Sequence, residues 1–207
     1  MAEIVQFIAS KYIKFGDHEI TFGKERVVIY SLEQLVDQIY LNQKLFGADY
    51  NALLYTIAKK QSTYFVKNHG VPIKKLFNLV VQLSSDVLSA FGAVKIRTVK
   101  VDEKRTSMFI AGSSSIAKFY KKKYGFSDTQ IDFILCGAYA GALECLSKTQ
   151  TYCIELECSA QKNIDECKWF AGSPQNILEQ VNNYYPESVE RVTKLLDLLQ
   201  KTEGKLW

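Results

Sequence analysis

The sequence predicts an α+β domain with helices packed on an antiparallel β-sheet, and three observations carry that reading. Two stretches, residues 93–112 and 152–170, alternate apolar and polar side chains about a turn, as hairpin strands do. The segments around them repeat apolar residues at helical spacing and are bounded by capping residues and glycines. The resulting order is helices, hairpin, helices, hairpin, helices. It lacks the strand-helix alternation of a parallel doubly wound sheet.

Taken along the chain, "KYIKFGDHEITFGKERVVIY" (11–30) reads as short strands joined by tight turns at Gly16-Asp17 and Gly23. Ser31 with Gln34 three residues on forms a capping box, and the helix it opens stops at Gly47. A second helix begins near Asp49, with Leu54, Ile57, Ala58, Gln61 and Phe65 expected along its buried face, and ends at His69-Gly70. A third opens at Pro72 and carries Ile73, Leu76, Phe77, Val80, Val87, Leu88 and Phe91 before Gly92. The hairpin "AVKIRTVKVDEKRTSMFIAG" turns near Asp102–Lys104, and a short amphipathic helix follows at 113–124. A longer helix is expected from Ser127 to about Ser147, then the second hairpin, then helices over about 174–183 and 187–202.

That longer helix is apolar nearly all round from Ile131 to Leu146, which makes it central. Gly137 and Gly141, one turn apart, strip side chains from one of its faces at about 1 kcal/mol each relative to alanine. Another backbone or a ligand must therefore come close to that face.

Composition bounds the function. The chain has 207 residues, 47% of them hydrophobic, and contains no low-complexity tract, so a substantial core is expected. A net charge of +4 is too small to mark a nucleic-acid footprint. Polar residues interrupt every apolar run short of the roughly 18 residues a bilayer span needs. Five cysteines fit reduced thiols or metal ligands in a cytoplasmic protein better than a secreted disulfide framework. The fingerprints GxGxxG, GxxxxGK[ST], HExxH and GxSxG do not occur, and two histidines, His18 and His69, supply little acid/base chemistry. No catalytic residue is assigned. Lys118, Lys121, Lys122 and Lys123 decorate the outer face of a helix whose inner face carries Ile116, Phe119, Tyr120 and Tyr124.

The stretch "YCIELECSAQKNIDECKWF" (152–170) concentrates the remaining chemistry. Glu155, Cys158 and Cys167 could converge from the two arms of one hairpin on a metal ion, or the cysteines could simply pack as small hydrophobes. Glu155 and Cys158 stand an odd number apart and so face opposite ways on a regular strand; a site requires the strand to end or bulge between them, near Glu157. A fourth ligand could come from Asp132 or Cys136, four apart and on one helical face. Cys145 falls to the core, and Cys153 shares the Glu155 face of its strand.

Read together, "GAYAGALECLSK" and "CIELECSAQKNIDECKWF" resemble the carboxy-terminal half of the 4-vinyl reductase domain family. That pattern has a cysteine with a GxxxG-type helix stretch five residues on, a strand with Glu-x-x-Cys-x-Ala, and a second cysteine followed by an aromatic. "GAVKIRTVKVDEKRTSMFIAG" falls where the family has a strand pair, and "LFGADYNALLYTIAKK" resembles its earlier helix, so the likeness covers roughly residues 12–172. It implies Glu155, Cys158 and Cys167 as zinc ligands. Asp132 stands where the family has its helix cysteine, with Cys136 one turn later; Lys162 replaces a usual glycine, and the hairpin loop is one residue longer.

The resemblance further implies a fold similar to haem nitric-oxide sensors and to subunits of the transport-protein-particle complex, with helices on an antiparallel sheet able to enclose an apolar pocket. In phenol-sensing activators such a domain binds small aromatic molecules near a structural zinc. The expectation is thus a homodimeric cytoplasmic sensor domain over residues 1–172, with a C-terminal helical extension over 173–207. It would take a small hydrophobic or aromatic ligand, and it would contact no nucleic acid directly. Two alternatives stand beside it: an enzyme reducing a tetrapyrrole vinyl group, the activity for which the family is named, and a dimeric tethering module.

Overall fold

The computed structural model describes the backbone of residues 13–15, 20–22, 25–27, 31–69 and 93–206, and the side chains of 31–68 and 93–205. The expected turns at Gly16-Asp17 and Gly23, the helix at 72–91, and the surroundings of His18 and His69 lie outside the described residues.

The chain opens with an antiparallel meander of three short strands, β1 (Ile13–Phe15), β2 (Ile20–Phe22) and β3 (Glu25–Val27). Helix α1 (Leu32–Phe46) starts at the Ser31 capping box: Ser31 Oγ accepts from the Gln34 amide and Gln34 Oε1 accepts from the Ser31 amide. Gly47, at φ 60°, ends it, and α2 (Ala48–His69) follows directly. The main sheet is antiparallel throughout, in the order β4-β5-β7-β6, from β4 (Val94–Asp102), β5 (Ser107–Ser114), β6 (Tyr152–Glu157) and β7 (Cys167–Gly172). Between the hairpins lie α3 (Ser115–Tyr124) and α4 (Phe133–Ser147). After β7 come α5 (Pro174–Tyr184), a single 3₁₀ turn, and α6 (Val189–Leu206).

The expected α+β architecture is thus present, and α4 packs along β6 and β7 at its centre. Two expectations need correction. Helix α4 begins at Phe133, not Ser127, because the Ile131 and Asp132 amides turn away to donate to Glu155 Oε2 (3.3 Å each). The buried face of α2 is Ala52, Tyr55, Ala58 and Lys59, whereas Ile57 is 41% exposed. The face that packs is the one that fits against α4. A Cβ on Gly137 would collide with the Tyr55 carbonyl oxygen, and one on Gly141 with that of Lys59. The glycines let the two helix backbones touch, so the close neighbour is a backbone and the second helix buries its small residues there.

Helix α6 is anchored by charge. Lys59, with only 7% of its side chain exposed, places its Nζ 2.8 Å from both Glu144 Oε2 on α4 and Glu203 Oε1 on α6. The ammonium also lies 4.3 Å from the Tyr152 ring centroid, and the Tyr152 hydroxyl donates to Glu203 Oε2 at 3.0 Å. A buried ammonium with two carboxylates and an aromatic face is compensated on every side, which burial of a charge demands. At the other end, Lys123 pairs with Glu33 and Asp37, and Tyr124 stacks on Tyr40 with centroids 3.7 Å apart, tying α3 to α1. No described helix is long and apolar enough to cross a membrane.

Because each glycine of α4 faces backbone, Gly137→Ala and Gly141→Ala are each expected to lower stability by about 1–3 kcal/mol through overpacking. Gly204→Ala on α6, where a Cβ meets nothing within 4 Å, is expected to raise it by up to about 1 kcal/mol through helix propensity. Thermal unfolding of the three variants checks both signs, and a neutral Gly141→Ala would contradict the close approach.

Candidate metal centre

Strands β6 and β7 pair as Cys153 with Ala171 and Glu155 with Trp169, then as Glu157 with Lys168, leaving Leu156 as an extra residue. This one-residue bulge resets the alternation. Without it Cys158 would face away from Glu155. With it, the next rung turns Cys158 and Cys167 to the side of the sheet that already carries Glu155 and Trp169. Glu157 and Lys168 take the other side and form an ion pair of 2.6 Å.

Glu155 carboxylate oxygen and the sulfurs of Cys158 and Cys167 consequently lie within 4.8 Å of one another, all three residues buried. Each is held by backbone or hydroxyl donors. Glu155 Oε2 accepts from the amides of Ile131 and Asp132, and Cys167 Sγ lies 3.3 Å from both the amide and the hydroxyl of Ser159. Asp132, the residue before α4, directs its carboxyl toward the same place: Oδ1 accepts from Ser114 Oγ at 2.7 Å, and the group interacts with Cys167 and Glu155. Ser114 also accepts from the Ala117 amide, so one hydroxyl both caps α3 and orients Asp132.

Of the residues singled out in the sequence, the structure therefore brings together Glu155, Cys158 and Cys167, with Asp132 at their edge. It places Cys136 elsewhere, against Cys153, across the α4–β6 contact. Cys145 is half-buried, not part of the core. Ser114 and Ser159 were not legible as site residues; the only cue for Ser159 is its position directly after a candidate ligand.

The electrostatics of this cluster are those of an anion site lacking its cation. Burial pushes the Asp132 and Glu155 carboxyls well above the ordinary carboxylate range, with each other and Cys167 adding to it. Cys158 donates to Cys167 and is driven upward, while Cys167, accepting from Cys158 and Ser159, is drawn down to about 6. Asp132 Oδ2 and Glu155 Oε1 are buried without any hydrogen-bond partner. Among the described residues no ion pair reaches either carboxyl, and Arg191, whose charge is felt at Glu155 and Cys158, keeps its own Nη1 buried and unpartnered.

Two thiols and two carboxyls with orphaned oxygens are a donor set for a borderline divalent cation such as zinc. Zn–S and Zn–O bonds of about 2.3 and 2.1 Å put tetrahedral ligands roughly 3.5 Å apart, within reach of the observed cluster after a small contraction. The group is thus a possible metal-binding site, and the residues fit one.

The cavity beside it is small. About 10 Å³ is enclosed by residues that include Tyr55, Asp132, Cys136, Cys153, Glu155 and Leu199, space for about one water. Among the described residues, the expected apolar pocket of ligand size is not open in this state.

No known family profile matches the sequence, and no curated protein matches it significantly. Solved structures share the fold. The phenol-responsive sensory domain of the transcription activator PoxR, determined with phenol, aligns with a TM-score of 0.69 at 14% identity, covering 94% of this chain and 96% of that one. A trafficking protein particle complex subunit 3 from Naegleria fowleri, covalently bound to palmitic acid, aligns at TM-score 0.47 and 14% identity over 68% and 93% of the two chains. A vinyl-4-reductase family protein from Methanocaldococcus jannaschii aligns at 0.44 and 16% over 72% and 83%. The chain therefore has the α+β fold of that sensory domain, and its structural neighbours are of the three kinds the sequence resemblance names.

A pH dependence follows for chelator-stripped protein. The folded Asp132 and Glu155 carboxyls hold protons that the unfolded chain, with ordinary values of 3.8 and 4.5, releases. Their contribution is present below those values and is lost as pH rises. Stripped wild type is expected to lose stability between pH 4 and 6, below the range in which Cys167 ionises at about 6, relative to the Asp132→Asn/Glu155→Gln double variant. Parallel curves in denaturant titrations would contradict the shifts.

Proposed function

We propose that the chain is a cytoplasmic small-molecule sensory domain whose last hairpin is pinned by a structural zinc ion. The observation that supports it is the convergence of Glu155, Cys158 and Cys167 within 4.8 Å in the dry interior, with two orphaned carboxylate oxygens beside them. Burying such carboxylates as ions costs several kcal/mol unless a cation compensates them. Glu155, Cys158, Cys167 and Asp132 would hold the metal. Bound there, zinc would contribute folding free energy and leave no open position for a reacting water.

The sensory part of the proposal is supported by the fold shared with the phenol-responsive domain. A molecule of phenol's size does not fit a void of about 10 Å³, so binding would require the side chains around Tyr55, Cys136, Cys153, Leu195 and Leu199 to part. A small aromatic or aliphatic ligand is the class that this apolar wall with one polar end would take.

A second reading has its own support. Leu41, Leu45 and Phe46 on α1 and Leu53, Ile57 and Tyr64 on α2 expose apolar side chains, a surface of the kind that dimeric assembly modules bury.

Protein purified without chelator is expected to carry one equivalent of zinc by elemental analysis, and Cys158→Ser or Cys167→Ser to abolish it. Less than about 0.1 equivalent, unchanged on zinc addition, would remove the metal from the proposal. Native mass spectrometry of the same sample and thermal shifts across a phenol series test the ligand; saturation at 100 Kd should stabilise by about 2.7 kcal/mol. A dimer that Leu45→Asp and Ile57→Asp dissociate, with no shift for any phenol, would favour assembly over sensing.

A further inference from the structure

Cys158 and Cys167 are also a cross-strand pair. The last paired rung of the ladder is Glu157 with Lys168, so the next sets Cys158 opposite Cys167. Residues facing each other across an antiparallel rung have Cα atoms about 4.5–5.5 Å apart, within the range of about 4.4–6.8 Å that a disulfide spans. The two sulfurs already lie within 4.8 Å, and both residues are unpaired. Ser159, whose amide and hydroxyl each lie 3.3 Å from Cys167 Sγ, fixes that sulfur in place.

An approach from solvent exists. Ser159 forms part of the wall of a surface groove of about 260 Å³, together with Lys118, Lys121, Lys122, Ile164 and Asp165. The sulfurs themselves are fully covered, but the segment covering them is the short surface turn 159–166, in which Lys162, Asn163 and Asp165 are exposed. Opening this turn uncovers both sulfurs without unfolding the sheet, a local event of the kind exposed loops undergo.

We propose that Cys158 and Cys167 form a modification site for peroxides, closing to an intrachain disulfide that excludes metal from the same two sulfurs. In the balanced step one sulfur attacks the peroxide O–O bond, forming an S–O bond and releasing water or an alcohol. The second sulfur then displaces the new hydroxyl as water. Two thiols lose two electrons and two protons, and the peroxide is reduced by the same two electrons. The inference does not require that the metal reading hold, since the rung geometry alone supplies it. If the metal is present, oxidation releases it.

The test is hydrogen peroxide applied to the full chain, with and without prior chelation, followed by alkylation and peptide mapping. Loss of two of the five thiols, a single Cys158–Cys167 cross-linked peptide, a mass decrease of about 2 Da and recovery with a dithiol reductant are expected. Any bound zinc should appear in a chromogenic chelator at the same rate. Cys158→Ser should form no intrachain bond; mapping of the wild type decides the matter even where that variant folds poorly. The proposal is overturned if both thiols of the chelated protein survive oxidant that has already converted half-buried Cys145, or if the bonds formed join other sulfurs or two chains. A disulfide forming in a protein that never held zinc would end the metal reading and leave this one standing; zinc bound tightly with no disulfide after chelation would do the reverse.

Discussion

The site depends on one extra residue in one strand. Side chains on a strand alternate, so Glu155 and Cys158 cannot both face inward unless the count between them is broken. Leu156 breaks it, opposing nothing on β7, and is itself buried so that the interruption leaves no gap. Every later feature of the centre inherits that shift: the two sulfurs meeting across the ladder, the indole of Trp169 and the carboxyl of Glu155 side by side in the dry interior, and Glu157 and Lys168 turned to the opposite face.

The helices serve the same strand from behind. Gly137 and Gly141 bring α2 against α4 closely enough that Tyr55 reaches past α4 to the edge of the sheet, where its hydroxyl accepts from the Cys153 amide at 2.9 Å. An edge strand presents unpaired backbone donors, and here a side chain from a helix far earlier in the chain takes one. One turn further along α2, Lys59 holds α4 and α6 by their carboxylates. Helix α2 is thus the common support of the metal-side strand and of the C-terminal helix.

What the sequence made legible was local. The capping box at Ser31, the two hairpins, the glycine pair and the carboxylate-thiol stretch all signal within a few residues, and the need for a bulge could be deduced from the parity of Glu155 and Cys158 alone. Hidden were the consequences of distant partners. The start of α4 is fixed by a glutamate on a later strand that takes the amides of Ile131 and Asp132. The buried face of α2 is chosen by glycines on another helix, not by the hydrophobicity of Ile57 or Phe65. Lys59 looks like a surface lysine until Glu144 and Glu203 are placed beside it. Cys136 and Asp132 shared a helical face on paper, but Asp132 precedes the helix and only it reaches the thiols.

The sheet is unequal from side to side. Strands β6 and β7 are covered on both faces along nearly their whole length, whereas β4 alternates between covered and open positions. One margin is therefore stiff and the other compliant. Changes of shape can be absorbed at the outer β4–β5 ribbon, which can flex or fray while the sulfur-bearing rungs stay shut, so deformation and chemistry are kept at opposite borders of a single sheet.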